Sequence, residues 1–195
     1  MSTEQNTLHI VAGPNGSGKT TFAESYFLKT HNLPVFLNPD VIASGIAPLN
    51  SESASFSAGR ILLTEIKRRF DQRESFSFES TFSGKTWAPF LREAQSGGYR
   101  IVVYFLLLDS VQRNVTRVRE RVLLGGHSIP KEAILRRHPR CFVNFWNLYR
   151  PLCSDWYVFN NSTNRPVPIQ DKTRYDKLSN LERKKFARHF LKGMT

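Results

Sequence analysis

The amino-acid sequence predicts an α/β fold, a doubly wound parallel sheet of about five strands with helices on both faces. Three observations carry that expectation. Short apolar runs alternate with stretches of helical period, a glycine-rich loop joins the first run to the first helix, and acidic residues follow closely on three of the runs.

Leu8–Ala12 reads as the first strand, ending in Gly13-Pro14-Asn15-Gly16-Ser17-Gly18 and a helix from about Lys19 to Lys29. Pro34–Leu37 is a second short strand, stopped by Asn38-Pro39-Asp40. Ser51–Phe70 carries Ile61, Leu62, Ile66 and Phe70 at helical spacing, and Ser75–Phe78 alternates as a third strand. Thr86–Ser96 is a helix closed by Gly97-Gly98. Arg100–Leu108 is β-branched and aromatic, the pattern of a buried central strand. Ser110 caps a helix whose Val111, Val115, Val118 and Val122 form the expected buried stripe. Another helix runs from about Lys131 to Tyr149, with a kink or break near Pro139. Trp156–Phe159 is the last strand and Lys177–Lys192 a C-terminal helix. No repeat or low-complexity segment interrupts the chain. The expected division is a domain over 1–165 and a basic extension over 166–195 that packs on it through its helix.

Composition narrows the function classes. At 195 residues and 40% apolar, the chain can bury a proper core and is too apolar for wholesale disorder. Its longest apolar run, Ile101–Leu108, is eight residues, under half the roughly 20 needed to span a membrane. Met1–Val11 lacks a basic start and a long apolar stretch, so no secretory signal is expected. Two cysteines, Cys141 and Cys153, make no disulfide framework, and the expectation is a cytoplasmic protein. The net charge of +12 points to anionic partners, and it is unevenly spread. Residues 1–100 hold ten Lys/Arg against nine Asp/Glu, whereas residues 101–195 hold eighteen against seven. Two clusters, 113–140 and 165–195, each carry +6.

Gly13 to Thr20 fits G-x-x-x-x-G-K-[ST] in full, with a strand before it and a helix after it. Such a loop turns successive backbone N–H groups inward at a helix N-terminus and cradles phosphate. The nucleotide-binding residues are then Gly13, Pro14, Asn15, Gly16, Ser17, Gly18, Lys19, Thr20 and Thr21. Lys19 would reach the β- and γ-phosphates, and the Thr20 hydroxyl would bind Mg²⁺. The fold is thereby of the P-loop NTPase and kinase type. The guanine-reading N-K-x-D of GTPases is missing, and a short chain with Arg-rich helices favours small phosphotransferases, which need an acceptor base and mobile arginines.

Ligands of open parallel sheets sit beyond the carboxyl ends of the strands, where Asp40, Glu79 and Asp109 fall. Asp40, after the rigid Asn38-Pro39, is placed to take the proton of an attacking hydroxyl or, more simply, to cap a helix from Val41. Glu79 would hold substrate hydroxyls or, through water, Mg²⁺; the plain alternative is a capping acid. Asp109 reads as a turn and cap residue. Arg60, on the helix after Asp40, either holds substrate phosphate or pairs with an acid.

In the first basic cluster, Arg113, Arg117 and Arg121 share one arc of the helix from Ser110, and Glu120 is the only acid among them. Gly125-Gly126 supplies a hinge, and Arg136, Arg137 and Arg140 follow on the next helix. Two Arg-bearing helices across a Gly-Gly loop look like a lid, about 113–140, that closes arginines over the β- and γ-phosphates. His127 is expected to brace that loop rather than to act chemically. The second cluster is an amphipathic helix with Leu178, Leu181, Phe186, Phe190 and Leu191 on one side and Arg183-Lys184-Lys185 and Arg188 on the other. Docking with the basic face in water is the expectation; nucleic acid, an acidic antitoxin-like protein or the anionic substrate are the alternatives.

Asn38–Ala43, Ala58-Gly59-Arg60, Phe78–Lys85, Arg117–Val122, Gly125–Pro130 and Phe159–Ser162 follow the phosphate loop at telling distances. Together these segments, over about residues 8–165, resemble the zeta toxin-like family of P-loop kinases, in particular its short stand-alone members. The resemblance implies a kinase fold with a lid and ATP/Mg²⁺-dependent phosphorylation of a hydroxyl. In the toxins studied as such, that hydroxyl belongs to a UDP-N-acetyl amino sugar, and the residue at the Asp40 position is the base. The resemblance further implies that Glu79 and Thr81 contact substrate, and that Arg121 and one of Arg136 or Arg137 are catalytic, with Arg140 behind them. The family places an Arg two residues after that Thr; here Ser83 stands there, and Lys85 follows Gly84 instead.

The sequence thus predicts a kinase that transfers the γ-phosphate of ATP to a small phosphorylated or nucleotide-sugar acceptor, with Asp40 as base and Thr20 as metal ligand. A nucleic-acid-end kinase or repair ATPase, and a nucleotide-gated binding protein without catalysis, are the alternatives.

Overall fold

The computed structural model describes residues 5–27, 35–48, 53–163 and 165–192. Strands β1 (Thr7–Ala12), β2 (Phe36–Leu37), β3 (Phe76–Ser80), β4 (Arg100–Leu107), β5 (Asp155–Asn160) and β6 (Val167–Asp171) form one sheet in the order β2-β3-β1-β4-β5-β6. The pairs among β1 to β5 are parallel, and β6 runs antiparallel to β5. The expected count of about five strands covers the parallel set. The sixth hides in Pro166-Val167-Pro168-Ile169, because proline argues against a strand except at a sheet edge, which is where β6 lies. The N-terminal part of the expected Pro34–Leu37 strand and the ends of the helices expected at Lys19–Lys29 and from Ser51 lie outside the described residues.

Alternation along the central strands sorts the core into two layers. Leu8, Ile10, Ile101, Val103 and Phe105 face one side, and Val11, Val102, Tyr104 and Leu106 the other. The first layer meets Leu62 and Ile66 of α3 (Ser55–Asp71), Leu91 of α4 (Trp87–Ser96) and Phe142 of α6 (Lys131–Asn144). The second meets Phe22 of α1 (Lys19–Phe22), whose ring lies 5.2 Å from Phe159. Between β2 and α3 the chain forms α2 (Pro39–Ile46), which the sequence suggested only as a helix from Val41 capped by Asp40; its cap is Asn38, and Pro39 lies in its first turn.

Helix α5 (Val111–Leu123) is capped by Ser110, whose hydroxyl accepts from the Arg113 N–H at 3.3 Å. Its buried stripe differs from the expected valines: Asn114 and Val118 are buried, Val111 and Val115 partly so, and Val122 is exposed. Helix α6 runs unbroken through Pro139 and continues as a π turn over Phe145–Tyr149. The C-terminal helix expected over Lys177–Lys192 is α8 (Asn180–Lys192), and a short helix that the sequence did not suggest, α7 (Lys172–Asp176), precedes it. Ser179 and Glu182 form a reciprocal capping box at the break, the Ser179 N–H donating to Glu182 at 2.8 Å and the Glu182 N–H to Ser179 Oγ at 3.3 Å. Phe190 inserts among Phe105, Phe142, Phe145 and Trp146, so the amphipathic helix docks with its apolar side while Lys184, Lys185 and Arg188 stay exposed. Arg150 stacks over Trp146 at 4.3 Å and Tyr175 at 5.2 Å, tying the tail to α6 and β5. Among the described residues no helix is long and apolar enough to cross a membrane.

Candidate active site

Pairing of β1 between β3 and β4 sets the loop Gly13–Gly18 at the carboxyl end of the sheet, beside the ends of both neighbours. Gly18 sits at φ 83° just before α1, a left-handed conformation that a side chain would strain, and its missing Cβ leaves room for Asn161. The loop is held from outside by two amides. Asn114 Nδ2 donates to Asn15 O at 2.7 Å, and Asn161 Nδ2 to Ser17 O at 2.8 Å. Neither role was legible in the sequence. Asn114 hides beside what reads as a valine face, and Asn161 is marked only by standing just past the last strand, within the Phe159–Ser162 segment of the resemblance.

Lys19 is buried; its ammonium donates to Pro14 O at 3.0 Å and lies 3.6 Å from Glu79 Oε1. The Thr20 hydroxyl donates to Glu79 Oε2 at 2.8 Å. Glu79 is next to last in β3, paired in register with Val11 of β1, and its carboxylate faces the phosphate loop that follows β1. Thr21 is exposed and lines the same cleft, an open space of about 640 Å³ that Arg117, Arg121 and Asn161 also border.

Asp40 does not cap α2. Asn38 does, its Oδ1 accepting from the N–H groups of Asp40 at 2.8 Å and Val41 at 3.4 Å. The Asp40 carboxylate is therefore free of cap duty, half-exposed, and 3.4 Å from Arg121 Nη1. Arg121 Nη2 also donates to His127 O at 2.6 Å, so His127 braces the loop through its backbone carbonyl. Gly126 makes this possible: a Cβ there would meet the Arg121 Cγ at 2.5 Å. Arg113 and Arg117 both donate to Ser162 O at 3.3 Å, which leaves Arg121 as the member of the arc that reaches Asp40. Asp109 pairs with Arg113 at 2.7 Å, in keeping with a turn residue.

The other site residues named from the sequence are dispersed. Arg136 is exposed on α6, whereas Arg137 is half-buried one turn before Cys141. Burial pushes the Cys141 thiol up to about 12, opposed by the positive charges of Lys19 and Arg137. Thr81 Oγ1 and Ser83 Oγ share a hydrogen bond of 2.8 Å, and between them Phe82 adopts φ 54°. That unfavourable turn is clamped: Phe82 stacks on Tyr149 at 4.0 Å, and Asn144 Nδ2 and the Tyr149 hydroxyl donate to Phe82 O and Gly84 O at 2.8 and 2.6 Å. Lys85 is exposed at the start of α4. Arg60 is exposed on α3, beside an open cleft of about 410 Å³ bordered by Ser57 and Glu65, and Glu65 pairs with Arg68 and Arg69.

The residues present fit a nucleotide and a hard cation. Ser17 Oγ and Arg121 Nε, both donors, are buried without a hydrogen-bond partner among the described residues, as groups awaiting an anion would be. No cluster of three or more His, Cys, Asp or Glu that could hold a metal occurs among the described residues. A cation here would be held by the Thr20 hydroxyl, phosphate oxygens and water, the coordination Mg²⁺ favours.

Residues 1–151 match the family model described as Zeta toxin. An uncharacterized protein of Haemophilus influenzae is 29% identical over 137 residues, covering 69% of this chain and 94% of that one. Among solved structures, one from the PezAT chromosomal toxin–antitoxin system of Streptococcus pneumoniae superposes with a TM-score of 0.66 at 11% identity, covering 100% of this chain and 89% of the other. The AvrRxo1-ORF1:AvrRxo1-ORF2 structure with ATP gives 0.65 at 15%, covering 98% and 77%. With its phosphate loop, mostly parallel six-stranded sheet and family match over three-quarters of its length, the chain belongs to the zeta toxin family and has the fold of a P-loop kinase.

Proposed function

We propose that the protein is an ATP- and Mg²⁺-dependent phosphotransferase that moves the γ-phosphate of ATP to a hydroxyl of a small phosphorylated or nucleotide-sugar acceptor. The observation that carries this reading is the ion pair between Arg121 and Asp40 at the rim of the phosphate-loop cleft. It brings a cation suited to the γ-phosphate and a carboxylate suited to an acceptor hydroxyl within one contact of each other.

The glycine loop binds the β- and γ-phosphates through backbone N–H groups, and Lys19 exchanges its contact with Pro14 O for phosphate oxygens. The Thr20 hydroxyl would hold Mg²⁺, which would supply charge neutralisation at the phosphates. Asp40 accepts the acceptor's hydroxyl proton as the new O–P bond forms and the bond from the γ-phosphorus to the β,γ-bridging oxygen breaks, releasing ADP. Arg121, drawn from Asp40 to the triphosphate, compensates the charge on the transferring group, with Arg136 or Arg137 added as the α5–α6 hairpin closes. Glu79 holds the Thr20 hydroxyl and borders the acceptor space with Thr81, while Lys85 and Arg60 are the candidate contacts to acceptor phosphate. An acidic antitoxin-like protein is the proposed macromolecular partner, suggested by the likeness to a toxin–antitoxin protein and by the +12 charge.

The test is transfer from [γ-³²P]ATP to a panel of UDP-sugars, nucleosides and RNA ends. Labelled UDP-sugar is the expected product; labelled RNA ends would favour the nucleic-acid-end kinase. ATP binding without transfer to any acceptor would instead favour a nucleotide-gated binding protein.

A further inference from the structure

Asn38 has no role in the chemistry assigned above beyond capping α2, yet it is only 3% exposed and both ends of its amide are engaged. Its Oδ1 accepts from the Asp40 and Val41 N–H groups, and its Nδ2 donates to Thr20 Oγ1 at 3.1 Å and to Glu79 Oε2 at 3.0 Å. The amide oxygen thus meets two N–H groups, and the amide nitrogen donates into a pair of oxygens that are themselves hydrogen-bonded to each other. One end lies on the helix that carries Asp40 and the other on the residues expected to face the cation.

The Thr20 hydroxyl is the other half of the observation. It has one proton and two lone pairs. The proton goes to Glu79 Oε2 at 2.8 Å and one lone pair is taken by Asn38, so a single lone pair remains and its direction is fixed. Without Asn38 the hydroxyl keeps its bond to Glu79 but is free to turn about it. A plain capping role explains the Oδ1 contacts and leaves the Nδ2 contacts unaccounted for, because Ser, Thr or Asp would cap as well. Ser and Thr are too short to reach Thr20 and Glu79 from that position. Asp would set a second carboxylate against Glu79. Only an amide satisfies both ends.

We propose that Asn38 is a positioning residue that aims the free lone pair of Thr20 at the cation accompanying the nucleotide, and ties that aim to the start of the helix bearing Asp40. The assignment rests on reading the cleft as a Mg²⁺–ATP site.

The experiment is ATP binding by titration calorimetry, with Mg²⁺ and with EDTA, on the full chain and on Asn38→Ser. Serine preserves the cap but not the buried amide, so the melting temperature is expected to fall by several degrees while the affinity in EDTA stays near the wild-type value. The tightening that Mg²⁺ gives the wild type is expected to shrink about tenfold, a change that a capping role alone does not produce. Asn38→Thr, a second cap without the amide, is expected to give the same split and serves if the serine variant fails to fold. Full retention of the Mg²⁺ effect, or an equal loss with and without Mg²⁺, overturns the assignment. A wild type that binds no ATP in either condition overturns the nucleotide reading itself, and the assignment with it.

Discussion

Arg121 Nη1 and Asp40 Oδ2 stand 3.4 Å apart across 81 residues of sequence, and both side chains are about two-fifths exposed. At that exposure the pair contributes at most about 1 kcal/mol to stability, because water screens it. Its consequence is in chemistry: a guanidinium that moves to a triphosphate releases the carboxylate it was holding. Arg121→Ala is therefore expected to lower the melting temperature by no more than a few degrees, through the screened pair and the hydrogen bond to His127 O. The same change is expected to lower phosphotransfer by ~10³-fold. Thermal denaturation and labelled-ATP transfer read the two effects separately, and a variant with wild-type transfer would remove Arg121 from the mechanism.

Asp40→Asn tests the base. Since Asn38 rather than Asp40 caps α2, the substitution keeps the helix and the molecule's shape. Transfer is expected to fall by roughly 10²- to 10⁴-fold with ATP affinity retained. Full transfer to every acceptor in the panel would assign the proton to another group.

Asn114 is fully buried and donates to the phosphate loop at Asn15 O. Asn114→Ala strands that carbonyl and leaves a void, costing about 1–3 kcal/mol, or several degrees of melting temperature. ATP affinity is expected to fall with it, since the loop's backbone is the binding surface. Calorimetric binding beside a melting curve checks both, and an unchanged melting temperature would show that the amide carries no strain.

His138 gives a pH dependence. It is buried on α6 beside Phe142, neither ring nitrogen has a hydrogen-bond partner among the described residues, and burial holds its pKa below the ordinary 6.5. The unfolded chain thus takes up a proton at higher pH than the folded one. Stability is present in full above about 6.5 and is lost as pH falls from there through the folded value. His138→Leu removes the orphaned nitrogens and should flatten that decline. The gap in melting temperature between variant and wild type is expected to widen in the variant's favour from pH 7.5 to 5.5, measured in matched buffers. A constant gap would mean that the imidazole finds a partner.

Much of the fold was legible because it follows local rules. Unbroken β-branched and aromatic runs such as Ile101–Leu107, period-3.6 runs such as Leu62–Ile66, and glycine at the loop where the backbone must turn are all statements about neighbours in sequence. What stayed hidden depended on distant context. Strand β6 contains proline and is a strand only because it lies at an edge. Asn114 is buried beside the expected valine stripe because the phosphate loop on the other side of the contact has a carbonyl to satisfy.

The candidate site divides the same way. The phosphate loop, its lysine and threonine, and the chemistry a carboxylate and arginines could supply are legible in the sequence, since those are properties of residue types at short spacing. Tertiary structure alone decided which of the arginines faces Asp40, that Asn38 rather than Asp40 caps α2, and that Glu79 turns to Thr20. These pairings join segments tens of residues apart. Strand order and helix packing set such distances, and a sequence specifies them only by folding.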